Sequence, residues 1–163
     1  MSQVISQSEQ SKEQHVRVPA PMPRVDTPAH IIRSDAEAIE IANSLAASFQ
    51  KDSAERDRER RLPRKELDEF SQSGLWGITI PKEYGGAGVS FATAAEVTAI
   101  ISAADSSLGQ IPQNHFYMVE AMRQDGTEEQ KQFYLGRVLE GDRFGNAFVE
   151  RDTKTVFDFQ ARL

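Results

Sequence analysis

Two capping boxes mark the first and last members of a series of predicted helices. In "SDAE" the Ser34 hydroxyl can accept from the backbone of Glu37, whose carboxylate can reach back, and "TEEQ" at Thr127 repeats the pattern. Apolar residues recur at helical spacing after each box and in the segments between them. The sequence therefore predicts a mainly α-helical domain over residues 34–141, and no strand–helix–strand repeat is found within it.

The predicted helices each bury one apolar face. The inward residues are Ala38, Ile41, Ala42, Leu45 and Phe49 in the first helix, Val97, Ile100, Ile101 and Ala104 in a middle helix, and Tyr134, Leu135, Val138 and Leu139 in the last. A second helix is expected to begin at Pro63, and another to run from Ser106 or Ser107 to Gln124. The charge-dense "KDSAERDRERR" is interpreted as a solvated continuation of the first helix. A binding patch is less favoured there, because acidic residues offset most of the basic ones.

The stretch "WGITIPKEYGGAGVS" decides between two kinds of loop. Gly74 is expected to end a helix in the left-handed conformation, and "LWGITI" is expected to be extended. Neither the dinucleotide pattern G-x-G-x-x-G nor the phosphate-loop pattern G-x-x-x-x-G-K-[ST] matches "YGGAGVS". The three glycines are therefore interpreted as an irregular packing corner rather than a phosphate-binding loop.

Both ends of the chain differ from the helical region. Residues 1–33 are rich in Ser, Gln and Pro and are predicted to form a disordered or extended arm. The patterns "RFGNAFVE" and "KTVFDFQARL" predict strands within residues 142–163. Because two strands alone make a marginal sheet, we expect this end to be the start of a truncated β-domain.

Composition excludes several classes of function. A net charge of −6 and a pI near 5.1 argue against sequence-independent binding of nucleic acid. There is no cysteine, and the three histidines are too dispersed for a metal site. No apolar run has the length of a membrane span or the layout of a signal peptide, so a cytoplasmic location without membrane association is expected.

Two separated blocks resemble one known family, the acyl-CoA dehydrogenases. The first, "GLWGITIPKEYGGAGVSFATAAEVTAIISAADSSLGQ", contains the family's P-x-x-Y-G-G-x-G hallmark, here Pro81, Tyr84, Gly85, Gly86 and Gly88. The second, "GTEEQKQFYLGRVLEGDRFGNAFVE", is similar to the stretch that precedes the family's T-E-P segment. The resemblance implies an N-terminal helical domain of the acyl-CoA dehydrogenase type, followed by the first strands of a truncated β-domain.

Within the family, "SSLGQIPQNHFYMVEAMR" is most similar to the sulfur-acquisition branch, which resembles dibenzothiophene monooxygenases. This similarity implies a parent enzyme that uses reduced FMN, or FAD, to oxidise a small organosulfur compound. It also implies a homotetramer and a separate flavin reductase as partner. The alternatives are an acyl-CoA dehydrogenase acting on acyl-CoA thioesters, and a non-catalytic helical interaction module.

The resemblance places the helix that carries "QNHFY" beside the substrate pocket. His115 is the candidate catalytic residue, since a histidine near a reduced flavin can donate a hydrogen bond to an oxygen adduct or exchange a proton near neutral pH. Asn114 and Tyr117 are further candidates. A lone helical histidine is also often structural, and that alternative stays open.

The resemblance also places flavin contacts in "NAFVERDTKTV". The residues implied are Asn146, Phe148, Val149, Lys154 and Thr155. Val149 replaces a family threonine and Arg151 a proline, whereas Thr155 keeps a hydroxyl, so flavin affinity is expected to differ from the family's. The family's catalytic glutamate has no counterpart here. The chain is therefore expected to be an N-terminal fragment that is inactive by itself.

Overall fold

The computed structural model describes residues 28–146 and 154–155. This part holds six α-helices and two 3-10 turns, and no strand is assigned within it. The helices are α1 (Asp35–Phe49), α2 (Ser53–Arg58), α3 (Arg64–Gln72), α4 (Phe91–Ala104), α5 (Ser106–Asp125) and α6 (Glu128–Leu139), and the 3-10 turns are Leu75–Gly77 and Lys82–Tyr84. The predicted mainly α-helical fold is confirmed. None of these helices combines the length and apolar character needed to cross a bilayer.

The central packing is formed by α1, α4 and α5. Small side chains at Ala38, Ala42 and Ala46 let α1 lie close to α4, which packs in turn on α5. At the first turn of α1, the Asp35 carboxylate accepts a hydrogen bond of 2.5 Å from the Thr93 hydroxyl of α4. The core of the domain is continuous from α1 through α5 to α6.

The two predicted capping boxes form to different extents. At α6 the box is complete: Thr127 Oγ1 accepts from the Gln130 amide at 3.2 Å, and Gln130 Oε1 accepts from the Thr127 amide at 2.9 Å. At α1 the Ser34 hydroxyl accepts from the Glu37 amide as predicted, but the Glu37 carboxylate accepts from the Arg33 amide instead of that of Ser34. The second half of that box is therefore displaced by one residue.

The predicted extended segment "LWGITI" is wrong. Gly74, at φ 82°, adopts the expected left-handed conformation, and the chain then enters the 3-10 turn Leu75–Gly77. Leu75, Trp76, Ile78 and Ile80 are all buried. A short apolar run that is buried on every side has no alternation to distinguish a strand from a tight turn.

The charged segment after α1 is mostly exposed, as predicted, but it does not continue the first helix. Helix α1 ends at Phe49, and α2 forms a separate short helix. Arg56 is 4% exposed and pairs with Glu66 of α3 at 2.8 Å and with Asp105 at 2.5 Å. Asp105 caps α5 at the same time, because one carboxylate oxygen accepts from the amides of Ser107 and Leu108. One charge of the segment is thus part of the interior.

The inward face predicted for α6 is only partly correct. Leu135 and Val138 are buried, and Leu139 packs against the core, but Tyr134 is 39% exposed. Successive residues of a helix are turned by about 100° around its axis, so Tyr134 lies at the edge of the apolar face that Leu135 and Val138 form. Gly141, at φ 99°, follows the end of α6.

The ends of the described region modify the predicted boundaries. Residues 28–33 have no regular secondary structure, yet Ala29 and Ile32 are buried and the His30 amide donates to Gln72 O at 2.9 Å. The last residues of the predicted arm therefore belong to the packed domain. Residues 1–27 lie outside the described residues. Of the predicted strands, residues 143–146 have no regular structure, residues 154 and 155 form a bend, and the others also lie outside the description.

Candidate functional site

The glycine corner uses its own backbone donors. The amides of Gly85, Gly86 and Gly88 donate to carbonyl oxygens at Lys82, Pro81 and Ile80, at 3.0, 3.2 and 2.8 Å. A phosphate loop needs such amides free and pointing at the ligand. The interpretation of this segment as a packing corner is therefore confirmed.

An open depression of about 640 Å³ lies between this corner and α6. It is lined by Glu83, Tyr84, Glu128 and Gln132. The Tyr84 hydroxyl donates to Glu128 at 2.8 Å, which joins the two blocks on which the family resemblance rests. This bond raises the pKa of Tyr84 and lowers that of Glu128. Two carboxylates at its wall make the depression unsuited to a phosphate-bearing cofactor.

His115 lies deep in the domain, on α5, with 1% of its surface exposed. Its Nε2 is 2.9 Å from the Trp76 carbonyl oxygen, and its Nδ1 accepts from the Phe144 amide at 3.0 Å. Burial lowers the pKa of His115 to about 4, the positive charge of Arg143 acts in the same direction, and the Trp76 carbonyl opposes both. His115 is therefore neutral at pH 7, and both ring nitrogens are bonded to backbone groups.

Aromatic rings surround His115. The Trp76 ring meets it edge-on with centroids 4.6 Å apart, and the Phe144 ring stacks on it at 5.9 Å. Trp76 is itself held by a 2.9 Å hydrogen bond from its indole nitrogen to Ser71. These contacts give the imidazole one orientation, as a residue that sets geometry requires.

The other α5 candidates lie at the surface. Asn114 is exposed and accepts a hydrogen bond from the side-chain amide of Asn146. Tyr117 is 57% exposed. The structure thus brings Asn114 and Asn146 together and places His115 beneath them, facing the same returning segment. The catalytic roles assigned to Asn114, His115 and Tyr117 stay predictions.

The remaining flavin-contact candidates are only partly described. Lys154 and Thr155 are exposed, and Phe148 and Val149 lie outside the described residues. In residues 28–146 and 154–155, no group of three or more His, Asp or Glu side chains is arranged to hold a metal ion.

Sequence reasoning missed the partners of His115. The Trp76 carbonyl and the Phe144 amide are backbone groups, so no residue type signals them. Arg143 was also missed, although its Nη1 is 3.1 Å from both Leu67 O and Ser71 Oγ on α3. Arg143 lies four residues beyond the end of α6, and no sequence signal marked it.

The family profile of the acyl-CoA dehydrogenase N-terminal domain matches residues 36–142. The chain belongs to this family. The match includes all six helices except the first residue of α1. The predicted family and fold are confirmed.

Individual relatives agree with the predicted sulfur branch. Dibenzothiophene monooxygenase of Rhodococcus erythropolis is 31% identical over 130 residues, which are 79% of this chain and 31% of that enzyme. The probable FMNH2-dependent monooxygenase SfnC of Pseudomonas putida is 32% identical over 120 residues, covering 73% of this chain and 30% of that protein. The matched part of this chain therefore spans about a third of the length of these relatives.

A solved structure supports the same branch. TdsC from Paenibacillus sp. A11-2, crystallised with FMN and indole, superimposes with a TM-score of 0.57 and 35% identity, covering 63% of this chain and 26% of TdsC. TdsC is a dibenzothiophene monooxygenase. The resemblance of this family member to that branch is confirmed both in sequence and in fold.

Proposed function

We propose that this chain is the N-terminal part of a flavin-dependent monooxygenase that oxidises a small organosulfur compound with reduced FMN. The observation that carries the proposal is the similarity of most of the chain to three proteins. They are the dibenzothiophene monooxygenase of R. erythropolis, the probable FMNH2-dependent monooxygenase SfnC and FMN-bound TdsC. The bound flavin would supply the electrons and the activation of dioxygen. The residues of this chain would supply one edge of the cavity.

The exposed edge of α5 has the chemistry for that task. Asn114 and Asn146 form a bonded amide pair, and Tyr117 offers an aromatic face with a hydroxyl. Amide and hydroxyl groups suit the hydrogen-bonding ring system of a flavin, whereas the depression near Tyr84, with two carboxylates at its wall, does not. We place the cavity edge at Asn114, Tyr117 and Asn146 and keep Phe148, Val149, Lys154 and Thr155 as proposed flavin contacts.

His115 has a different place in this proposal. A residue that gives a proton to a reacting group needs a ring nitrogen within hydrogen-bond reach of it. Both nitrogens of His115 are instead bonded to Trp76 and Phe144. Direct proton donation by His115 would require one of these bonds to open, so the geometry favours an indirect role.

The partners of the whole protein are part of the proposal. They are a small organosulfur substrate, a separate flavin reductase that delivers reduced FMN, and further copies of the same chain in a tetramer. A cytoplasmic location fits a protein that depends on a diffusing reduced flavin. FAD replaces FMN if the parent is an acyl-CoA dehydrogenase, which the family match supports as the second candidate.

A chimeric enzyme tests the choice between the two. The stretch of this chain from residue 36 to residue 155, which includes the proposed flavin contacts, replaces the corresponding stretch of the R. erythropolis dibenzothiophene monooxygenase, and the purified protein is assayed with FMNH2, dioxygen and dibenzothiophene. A parallel assay offers acyl-CoA thioesters with FAD and a dye acceptor. Melting temperature and oligomeric state serve as controls for folding.

The proposal expects sulfur oxidation by the folded chimera and no reduction of the dye. A folded chimera that reduces the dye with acyl-CoA and leaves dibenzothiophene unchanged would contradict it. In the 163-residue chain alone, an FMN titration followed by fluorescence is expected to show no stoichiometric complex at micromolar concentration, because one edge of a site does not recover the cost of association. A tight complex of the chain with FMN, without turnover in the chimera, would favour a non-catalytic binding module.

A further inference from the structure

The hydrogen bonds of His115 determine where its proton is. The Phe144 amide is a donor, so the Nδ1 that faces it must be unprotonated. The neutral ring then carries its hydrogen on Nε2, which donates to the Trp76 carbonyl oxygen 2.9 Å away. One imidazole thus joins the 3-10 turn at Trp76 to the segment that follows α6.

That segment, residues 141–146, returns across the domain and is attached at successive positions. Arg143 reaches Leu67 O and Ser71 Oγ on α3 at 3.1 Å, the Phe144 amide is bonded to His115, and Asn146 is bonded to Asn114 on α5. The attachments on either side of Phe144 are made by the exposed side chains of Arg143 and Asn146, and hydrogen bonds of exposed side chains contribute little to stability. The attachment at Phe144 has the most deeply buried acceptor residue of these, because His115 is 1% exposed.

We propose that His115 is a positioning residue whose unprotonated Nδ1 holds the Phe144 amide and thereby fixes where Asn146 lies on the edge of α5. The attachment of the segment stands on the contacts alone. Its consequence for flavin binding rests on the function proposed above, and the two are tested separately.

Two substitutions separate the two bonds of the imidazole. In His115→Asn the side-chain oxygen can occupy the place of Nδ1 and accept from Phe144, whereas nothing reaches Trp76. In His115→Gln the side-chain amide can occupy the place of Nε2 and donate to Trp76, whereas Phe144 loses its acceptor. A merely structural histidine would treat the two variants alike, or would favour Gln for its size.

The measurement is amide hydrogen exchange in the full 163-residue chain by NMR. Protection of the Phe144 amide, divided by that of the Val119 amide in the core of α5, is expected to fall by roughly tenfold or more in His115→Gln and to stay within about threefold of wild type in His115→Asn. Equal protection of Phe144 in the two variants, or the reverse order, overturns the proposal.

The unmodified chain gives an independent check if a variant fails to fold. The ¹⁵N shifts of the His115 ring at pH 7 are expected to show a protonated Nε2 and an unprotonated Nδ1, with the Phe144 amide protected. A protonated Nδ1, or a Phe144 amide that exchanges as fast as an unstructured one, overturns the attachment.

The consequence for flavin is read from the same spectra, with FMN added at millimolar concentration so that weak binding is visible. FMN is expected to shift the side-chain amide signals of Asn114 and Asn146, and the shifts should be at least about twofold smaller in His115→Gln than in His115→Asn. Equal shifts in the two variants overturn the link to the flavin edge. If FMN moves no signal in the unmodified chain, the proposed flavin edge fails, while the exchange data still decide the attachment of Phe144.

Discussion

Removing the buried guanidinium of Arg56 should destabilise the domain more than any change to its exposed ion pairs. The side chain of Arg56 is 5% exposed and bonds to Glu66, to Asp105 and to the Phe49 carbonyl oxygen. These partners belong to α3, to the start of α5 and to the end of α1. Arg56→Met keeps a similar length of apolar stem and deletes the charge with all three bonds.

The magnitude follows from what the substitution leaves behind. Asp105, with its side chain 7% exposed, keeps two amide partners at the start of α5 but loses its positive counter-charge, and Glu66, at 14%, can turn toward water. Breaking one side of a buried pair costs about 3–5 kcal/mol. Because Asp105 stays partly satisfied, we expect Arg56→Met to lower the free energy of unfolding by about 3 kcal/mol, the lower end of that range.

Urea unfolding followed by circular dichroism measures this, with a comparison of m-values to check that the same surface unfolds. Arg61→Met is the matched control, since Arg61 pairs with Glu59 at 2.5 Å but both side chains are about half exposed. Its urea midpoint should stay close to that of the wild type. Asp105→Asn in the Arg56→Met background removes the orphaned charge and should recover part of the loss. If Arg56→Met costs no more than Arg61→Met, the buried network does not stabilise the fold as argued.

Three further expectations concern other parts of the domain. Burial lowers the pKa of His115 from 6.5 to about 4. The stability that the neutral ring contributes is therefore complete above pH 6.5 and is lost as the pH falls toward 4, by about 3 kcal/mol in total. In His115→Gln, the free energy of urea unfolding should lack this pH-dependent component. Gly86→Ala would place a Cβ 2.2 Å from Ile80 O and should cost about 1–3 kcal/mol, whereas Gly136→Ala, with no atom within 4 Å, should gain up to about 1 kcal/mol by the same assay. Thr127→Ala removes the hydroxyl that caps α6 and should lower the urea midpoint by an amount equivalent to about 1 kcal/mol, and an unchanged midpoint would show that the cap is dispensable.

The sequence by itself determined the helical character of the domain and most helix ends. Helical periodicity and caps are local signals, which is why the starts at Ser34 and Thr127 and the left-handed end at Gly74 could be predicted. The motif spacing around Tyr84 was enough to exclude a phosphate loop, and the two similar blocks were enough to indicate the family.

Tertiary structure alone decided which polar groups are internal and what they bond to. Arg56 stands in a run of charges that any periodicity would assign to solvent, and its burial depends on carboxylates 10 and 49 residues away in the sequence. The sequence likewise marked His115 as a candidate but could not show that its two nitrogens are taken by the backbone of Trp76 and Phe144. Backbone donors and acceptors are the same for nearly every residue type, so the residue types alone cannot predict which of them pair over long sequence distances.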